Sequence, residues 1–277
     1  MKKKLAFSYF IIGILLVATS CFSFDSKKIT EKSMREEGKG EEGKGFTVIE
    51  LFTSEGCSSC PSADKLVSRI KSENKKDVFI LSFHVDYWNR LGWKDVFSQP
   101  AFTERQQIYA THLSLQGVYT PQIVVNGTEE FVGSDEKRLR TSLKNNVNPS
   151  SDLIIEVSQI NNSHIHLAYK NVNSNSELLN IAFIQPEAFT DVKRGENGGR
   201  RLHHVNIVRE FKTIQGSGAG NLDLKVPAEL QELPFKIIAY TQQKKSFKIT
   251  GIAQASVILN RKTILKIFGM LHTHAKS

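Results

Sequence analysis

Cysteine is scarce in this chain. Its 277 residues include three: Cys21, Cys57 and Cys60. That excludes a disulfide-stapled miniature, and a chain of this length buries a core without staples. It also argues against a structural zinc site, which needs a second ligand pair at similar spacing. A membrane-length apolar run is missing too. Leu5 to Ala18 is uncharged and mostly apolar, but too short for a comfortable span. The net charge is +9, yet it is spread over the N-terminal lysines, the tail after Asn260 and scattered positions. There is no basic stripe with interleaved aromatics, so no nucleic-acid partner is expected.

What is present at the N-terminus is a targeting pattern. Lys2, Lys3 and Lys4 form a basic start, Leu5 to Ala18 an apolar middle, and Ala18-Thr19-Ser20 a small-residue cleavage site. Residues 1–20 therefore read as a signal peptide. Cys21 follows at once, as in a bacterial lipobox, and is expected to be the lipidated mature N-terminus. The plainer reading is an ordinary cleavage after Ser20 that leaves Cys21 as a free thiol. Residues 21–45 are polar and repetitive, with Glu36–Gly40 echoed by Glu41–Gly45. Such a segment cannot bury a core and reads as a flexible tether. The expected location is the periplasm or cell envelope, with the membrane reached through the lipid anchor.

Residues 46–148 alternate strands and helices. Strands are expected at Phe46–Thr53, Val78–Val85, Gln122–Asn126 and Glu130–Gly133. Helices are expected at Pro61–Ser72, Gln99–Leu113 and Ser134–Asn145, the last with Ser134 as N-cap. The order β-α-β-α-β-β-α is that of a thioredoxin-like α/β domain. Residues 149–260 read differently, as an all-β, sandwich-like domain. Its strands are expected at Asp152–Ile160, His164–Lys170, Leu178–Phe189, Asn206–Thr213, Phe235–Thr241 and Ile249–Leu259. Gly195–Gly199 and Gly216–Gly220 read as loops, and 261–277 as a basic tail.

The chemistry concentrates at Cys57-Ser-Ser-Cys60-Pro61, where an apolar strand gives way to an amphipathic helix. A thiol at a helix N-terminus meets unpaired N–H groups and the helix dipole, which favour the thiolate. Cys57 is the expected nucleophile, as the N-terminal and more exposed thiol. Cys60, one turn deeper, is the expected resolving thiol. Tyr119-Thr120-Pro121-Gln122 places a proline at the start of a central strand. A cis bond there removes the objection to a missing ladder donor. In thioredoxin-like proteins, whose element order this half resembles, the proline here is cis and the residue before it offers its backbone to an extended substrate beside the dithiol, a role the resemblance would give Thr120.

Glu50 lies on the strand leading to the dithiol. It is either a carboxylate that accepts the Cys60 proton or one satisfied by a lysine or the backbone near a strand end. His84, Asp86 and Trp88 follow the second parallel strand at the sheet edge where ligands collect, and are candidates to flank the site. The bland alternative is a hydrogen-bonded His84, an Asp86 that caps the loop, and Trp88 and Trp93 packed beneath it. Phe102–Gln106 reads as a helix start and surface. His203 and His204 alternate across a strand and would not chelate together. The glycine-rich segment before them reads as a loop packed onto the dithiol domain. His164 and His166, on one strand face, read as surface.

These stretches carry a family resemblance. Glu50–Pro61, Phe83–Asn89, Leu91–Asp95, Phe102–Gln106, Tyr119–Gln122 and Val125–Gly127 resemble a bacterial secreted group, the domain-of-unknown-function 1223 family. Gly195–His204 and Asn206–Arg209 fit it too, so the likeness runs from about Phe46 to Leu259. The resemblance implies a thioredoxin-like fold with a β-rich companion, and names no substrate. The chain departs from true thioredoxins, which carry an aromatic before the first cysteine and Gly-Pro between the two. Here Gly56 and Ser58-Ser59 stand there.

The expected activity is exported thiol–disulfide exchange on protein or small-molecule disulfides, with an unidentified redox partner and no cofactor. Two other readings stay open: a copper-binding module using both thiolates, since soft sulfur selects Cu(I), and an interaction protein with an inert disulfide.

Overall fold

The computed structural model describes residues 45–73 and 75–258. The expected signal peptide, Cys21, the expected tether up to residue 44 and the tail 261–277 lie outside the described residues.

The first half follows the expected order: β1 Thr47–Thr53, α1 Cys60–Ser72, β2 Val78–His84, α2 Pro100–His112, β3 Gln122–Val125, β4 Glu129–Val132 and α3 Glu136–Asn145. β1 and β2 are parallel, β3 runs antiparallel to β1, and β4 runs antiparallel to β3. Ile49 and Leu51 of β1 pack under Ala63, Leu66, Val67 and Ile70 of α1, at helical spacing. Val48 and Phe52, on the opposite face, pack with Phe83, Phe102 and Tyr109. α3 starts one residue later than expected, and its cap is Asp135 rather than Ser134. The Asp135 carboxylate accepts from the Arg138 N–H at 2.9 Å.

The second half is β-rich, as expected, but it does not stand apart as a separate sandwich. Its strands are β5 Ile154–Asn161, β6 His164–Val172, β7 Glu177–Asp191, β8 Arg201–Ile214, β9 Gly218–Lys225, β10 Phe235–Gln243 and β11 Ile249–Val257. Four of them continue the first sheet, giving one eight-stranded mixed sheet in the order β11-β10-β7-β8-β2-β1-β3-β4. The join is short. Ser82 of β2 pairs with Ile207 of β8, and the Ser82 hydroxyl donates to the Val205 carbonyl at 2.8 Å. β8 thereby covers an edge of β2 that would otherwise present unpaired backbone groups. A second sheet, β5-β6-β9, packs its apolar face on β7, β10 and β11.

β9 was not foreseen, because glycine at 216, 218 and 220 reads as a loop. A Cβ on Gly220 would sit 2.5 Å from the Tyr169 hydroxyl, and Tyr169 is its cross-strand partner. The tyrosine ring occupies the space that a side chain would fill, so the glycine belongs to the strand.

Phe102–Gln106 is not surface either. Phe102 and Gln106 are buried, and Arg105 reaches across to Glu50 of β1 with bonds of 2.7 and 3.0 Å. The Tyr240 hydroxyl donates to the same carboxylate, and Arg105 also donates to Tyr109 and Tyr240. A buried carboxylate is tolerable when a cation and hydrogen bonds neutralise it. Arg105→Met should strand the Glu50 charge and lower unfolding stability by about 3–5 kcal/mol, read by urea denaturation. A loss below about 1 kcal/mol would show that the ion pair does not fasten α2 to the sheet.

Candidate dithiol site

The strand β1 ends at Thr53, and the chain turns through Ser54-Glu55-Gly56 before reaching Cys57. The turn is closed by the Cys57 N–H on the Ser54 carbonyl at 3.2 Å. Helix α1 begins at Cys60, whose N–H bonds back to the Cys57 carbonyl at 3.2 Å. Cys57 therefore sits in the turn just before the helix. Both cysteines are free thiols with 0% exposure, so neither stands out as the more exposed thiol that Cys57 was expected to be. Ser58 and Ser59 between them are exposed.

The Cys57 Sγ lies 3.2 Å from Ser59 Oγ and 3.8 Å from the Thr120 carbonyl oxygen. The Thr120–Pro121 peptide is cis, as anticipated. Gln106 of α2 holds this segment by donating to the Tyr119 carbonyl at 2.7 Å and to Gln122 Oε1 at 2.9 Å. Trp88 donates its indole N–H to Thr120 Oγ1 at 2.8 Å. A Cβ on Gly56 would meet Trp88 Cβ at 3.0 Å, so glycine there lets Trp88 lie against the dithiol loop.

The two thiols differ in their hold on a proton. The Cys57 thiol is lowered to about 6, first by its hydrogen bond with Cys60, against burial, with Ser59 and Thr120 helping. The Cys60 thiol is pushed well up, first by burial, then by Cys57 and by the charge of Asp64. One thiol is thus prepared as a thiolate and the other keeps its proton.

Behind the dithiol lies a buried polar cluster. Asp64, one turn after Cys60 on α1, accepts from the Thr53 hydroxyl at 3.0 Å. His204 of β8 is wedged between Asp64 Oδ2 at 3.5 Å and Glu55 Oε1 at 3.4 Å. Burial would lower the His204 pKa, but Asp64 and Glu55 reverse this and raise it to about 10. Glu55 also accepts from the Trp93 indole at 2.7 Å. Next to His204 stands His84, ring to ring at 4.7 Å, bonded through Nδ1 to Asp95 at 2.7 Å. Burial opposes ionisation of Asp95, and His84 with the Glu55 and Phe97 N–H groups holds its pKa below the ordinary value.

The glycine-rich loop 195–199 closes the arrangement. Asn197 donates to the Glu55 and Cys57 carbonyls at 2.9 and 2.8 Å, and the Ser58 N–H donates to Glu196 at 2.9 Å. The loop packs onto the dithiol segment, as the sequence suggested.

A family model described as a protein of unknown function, DUF1223, matches residues 48–242. The chain belongs to this family. A crystal structure of a protein from Agrobacterium tumefaciens is similar over 78% of this chain and 95% of its own, at 27% identity and a TM-score of 0.56. HBP35 of Porphyromonas gingivalis is similar in fold over 77% of this chain and 76% of its own, at 14% identity and a TM-score of 0.53. Curated proteins yield no match.

In this DUF1223 protein the structure brings Cys57, Cys60, Thr120, Pro121 and Trp88 together. Glu50 is placed elsewhere. It lies on the face of β1 that carries α2, held by Arg105, whereas Cys60 belongs to α1 on the other face. It is not the Cys60 proton acceptor. His84 is buried beside His204, one layer behind the thiols. Asp86 takes the bland role: its carboxylate accepts from the Thr103 hydroxyl at 2.6 Å, tying the loop to α2. His203 turns outward to Glu187, and His166 pairs at the surface with Asp223. Among the described residues no group of three or more His, Cys, Asp or Glu is placed to hold a metal ion.

The sequence reading missed Asp64, Glu55, Asp95 and Asn197. Asp64 carried a signal: it lies four residues after Cys60, on the stripe of α1 that is otherwise apolar. The other three are set by contacts between distant segments and carry no local pattern.

In the reduced protein, absorbance at 240 nm should show one thiolate forming with a midpoint near pH 6, absent from Cys57→Ser. A midpoint near 9 would contradict the asymmetry. Because Cys57 ionises more readily folded than unfolded, its contribution to stability is complete above about pH 9 and is lost as pH falls through about 6.

Proposed function

We propose that the protein is an exported thiol–disulfide oxidoreductase, built on a thioredoxin-like dithiol unit, acting on protein or small-molecule disulfides. The observation that carries this reading is the unequal pair at the head of α1: a Cys57 thiol lowered to about 6 and a Cys60 thiol raised well above its ordinary value. The order of elements in the first half and the Thr120 carbonyl beside Cys57 support it. Export and the lipid at Cys21 belong to the same proposal and rest on residues 1–21 of the sequence.

The chemistry balances as two exchanges. The Cys57 thiolate attacks one sulfur of a substrate disulfide, forming a mixed disulfide and releasing the first substrate thiolate. Cys60 then attacks Cys57, releasing the second. The substrate gains two electrons and the one proton that Cys60 held, leaving as one thiolate and one thiol, and the protein is left with a Cys57–Cys60 disulfide. A second dithiol partner reverses the last step, and the same cycle run backwards oxidises a substrate. Trp88 supplies, from another segment, the aromatic neighbour that a thioredoxin carries before its first cysteine, which accounts for Gly56 in that place.

The test is trapping. Purified Cys60→Ser, mixed with a disulfide-bonded protein such as insulin, should accumulate a covalent adduct through Cys57 that dithiothreitol releases. Cys57→Ser should form none. Equal adduct from both variants, or none from either, would defeat the proposal.

A further inference from the structure

The arginines of this chain fall into two groups. Arg69, Arg105, Arg138, Arg140 and Arg209 each meet a carboxylate. Among the described residues, those without an ion-pair partner are Arg90, Arg194, Arg200 and Arg201. Arg201 lies over the Phe189 ring, 5.1 Å from its centroid. The other three belong to segments 88–95 and 192–200, which flank the dithiol turn. Lys94 and Lys193 of the same segments are also exposed and form no ion pair among the described residues.

Both segments are packed on the turn and on each other. Trp88 bonds Thr120, Trp93 bonds Glu55, and the Glu55 N–H donates to Asp95 at 2.9 Å. A Cβ on Gly195 would sit 3.2 Å from Trp93 Cβ and 3.7 Å from the Leu91 carbonyl oxygen, so Arg194 enters where 91–93 pass. Asn197 donates to the Cys57 carbonyl at 2.8 Å, and Arg200 donates to Asn197 Oδ1 at 2.7 Å. The Arg200 guanidinium is thus two hydrogen bonds away from Cys57.

The acids of these segments do not cancel the charge. Asp95 is buried and faces His84. Glu196 is exposed and accepts from the Ser58 N–H at 2.9 Å, one residue from Cys57, so a carboxylate already fits beside the dithiol. Cations gathered at a site without counter-ions raise the local concentration of anions. The planar fork of arginine matches a carboxylate, and it does so whether the carboxylate is part of the protein or of a ligand.

We propose that the substrates of this dithiol are disulfides that carry carboxylates close to the S–S bond, which Arg90, Lys94, Arg194 and Arg200 draw to Cys57. This rests on the dithiol reading above and supplies the substrate class it leaves open. A disulfide with ammonium groups in the same places is repelled. Glu196 offsets part of the attraction, so its removal strengthens the preference.

The experiment compares three small aliphatic disulfides with the reduced full chain at pH 7: dithiodipropionate, a dianion; hydroxyethyl disulfide, neutral; and cystamine, a dication. Oxidation is counted by mass after acid quenching and alkylation. Each rate is divided by that of 2-mercaptoethanol with the same disulfide. At about 20 mM salt the dianion should exceed the neutral compound by about fivefold or more, and the dication should fall below it by a similar factor. At about 1 M salt the three should agree within about twofold, because screening removes the effect. Arg194→Gln and Arg200→Gln should each lower the dianion-to-neutral ratio by about twofold or more, and Glu196→Gln should raise it. A disulfide-linked peptide with glutamates beside the cysteines should outrun its glutamine counterpart. If it also outruns dithiodipropionate, the carboxylates belong to an acidic protein segment; if it lags, to a small molecule.

Equal normalised rates for the three disulfides would overturn the proposal, and that comparison needs no variant to fold. So would a preference that salt leaves intact, or a ratio that none of the charge variants moves. Failure of wild type to react with any disulfide would instead strike at the dithiol reading, so the two failures are distinct.

Discussion

Buried carboxylates have to be neutralised, and this molecule is arranged around that requirement. Glu50, Glu55, Asp64 and Asp95 are each within 5% of complete burial. Each leans on a partner supplied from elsewhere in the chain: Arg105 of α2 for Glu50, His204 of β8 for Glu55 and Asp64, His84 of β2 for Asp95. An unpaired charge in such surroundings costs several kcal/mol, so these pairings dictate which segments must meet. They explain why the β-rich half cannot be a free companion. Its strand β8 brings the histidine that two acids at the dithiol need, and its loop brings Asn197 to the carbonyls of Glu55 and Cys57.

The same requirement divides the sheet into two faces with different duties. On the α2 side, Glu50, Arg105, Tyr109 and Tyr240 form a closed set in which the carboxylate is met by a cation and a hydroxyl. It is a fastening between halves of the chain. On the α1 side the acids are left loosely paired, next to a thiol that holds its proton and another that gives it up. A closed network of this kind fixes structure, and the Cys60 thiol lies on the other face, with α1.

Much of this was legible in the sequence because it is local. The alternation of strands and helices in 46–148, the turn at Cys57–Pro61, and the proline opening β3 all follow from hydrophobic period and backbone rules over a few residues. The glycine-rich strand β9 was hidden because its partner Tyr169 supplies the missing side chain from another strand. The continuity of the sheet was hidden because it depends on a single pairing, Ser82 with Ile207, across 125 residues of chain. Glu50 shows the limit most clearly. A carboxylate on the strand before a dithiol invites a catalytic role, but strand alternation gives two faces, and only Arg105 reveals which one it occupies.

The central claim is that Cys57 and Cys60 form a working exchange pair rather than a fixed cross-link. The most direct measurement is the reduction potential of that pair, by equilibration of the full chain in glutathione and dithiothreitol buffers. A value within the range of exchanging dithiols, roughly −120 to −270 mV, is expected. A value well below about −300 mV would mark a structural disulfide and contradict it.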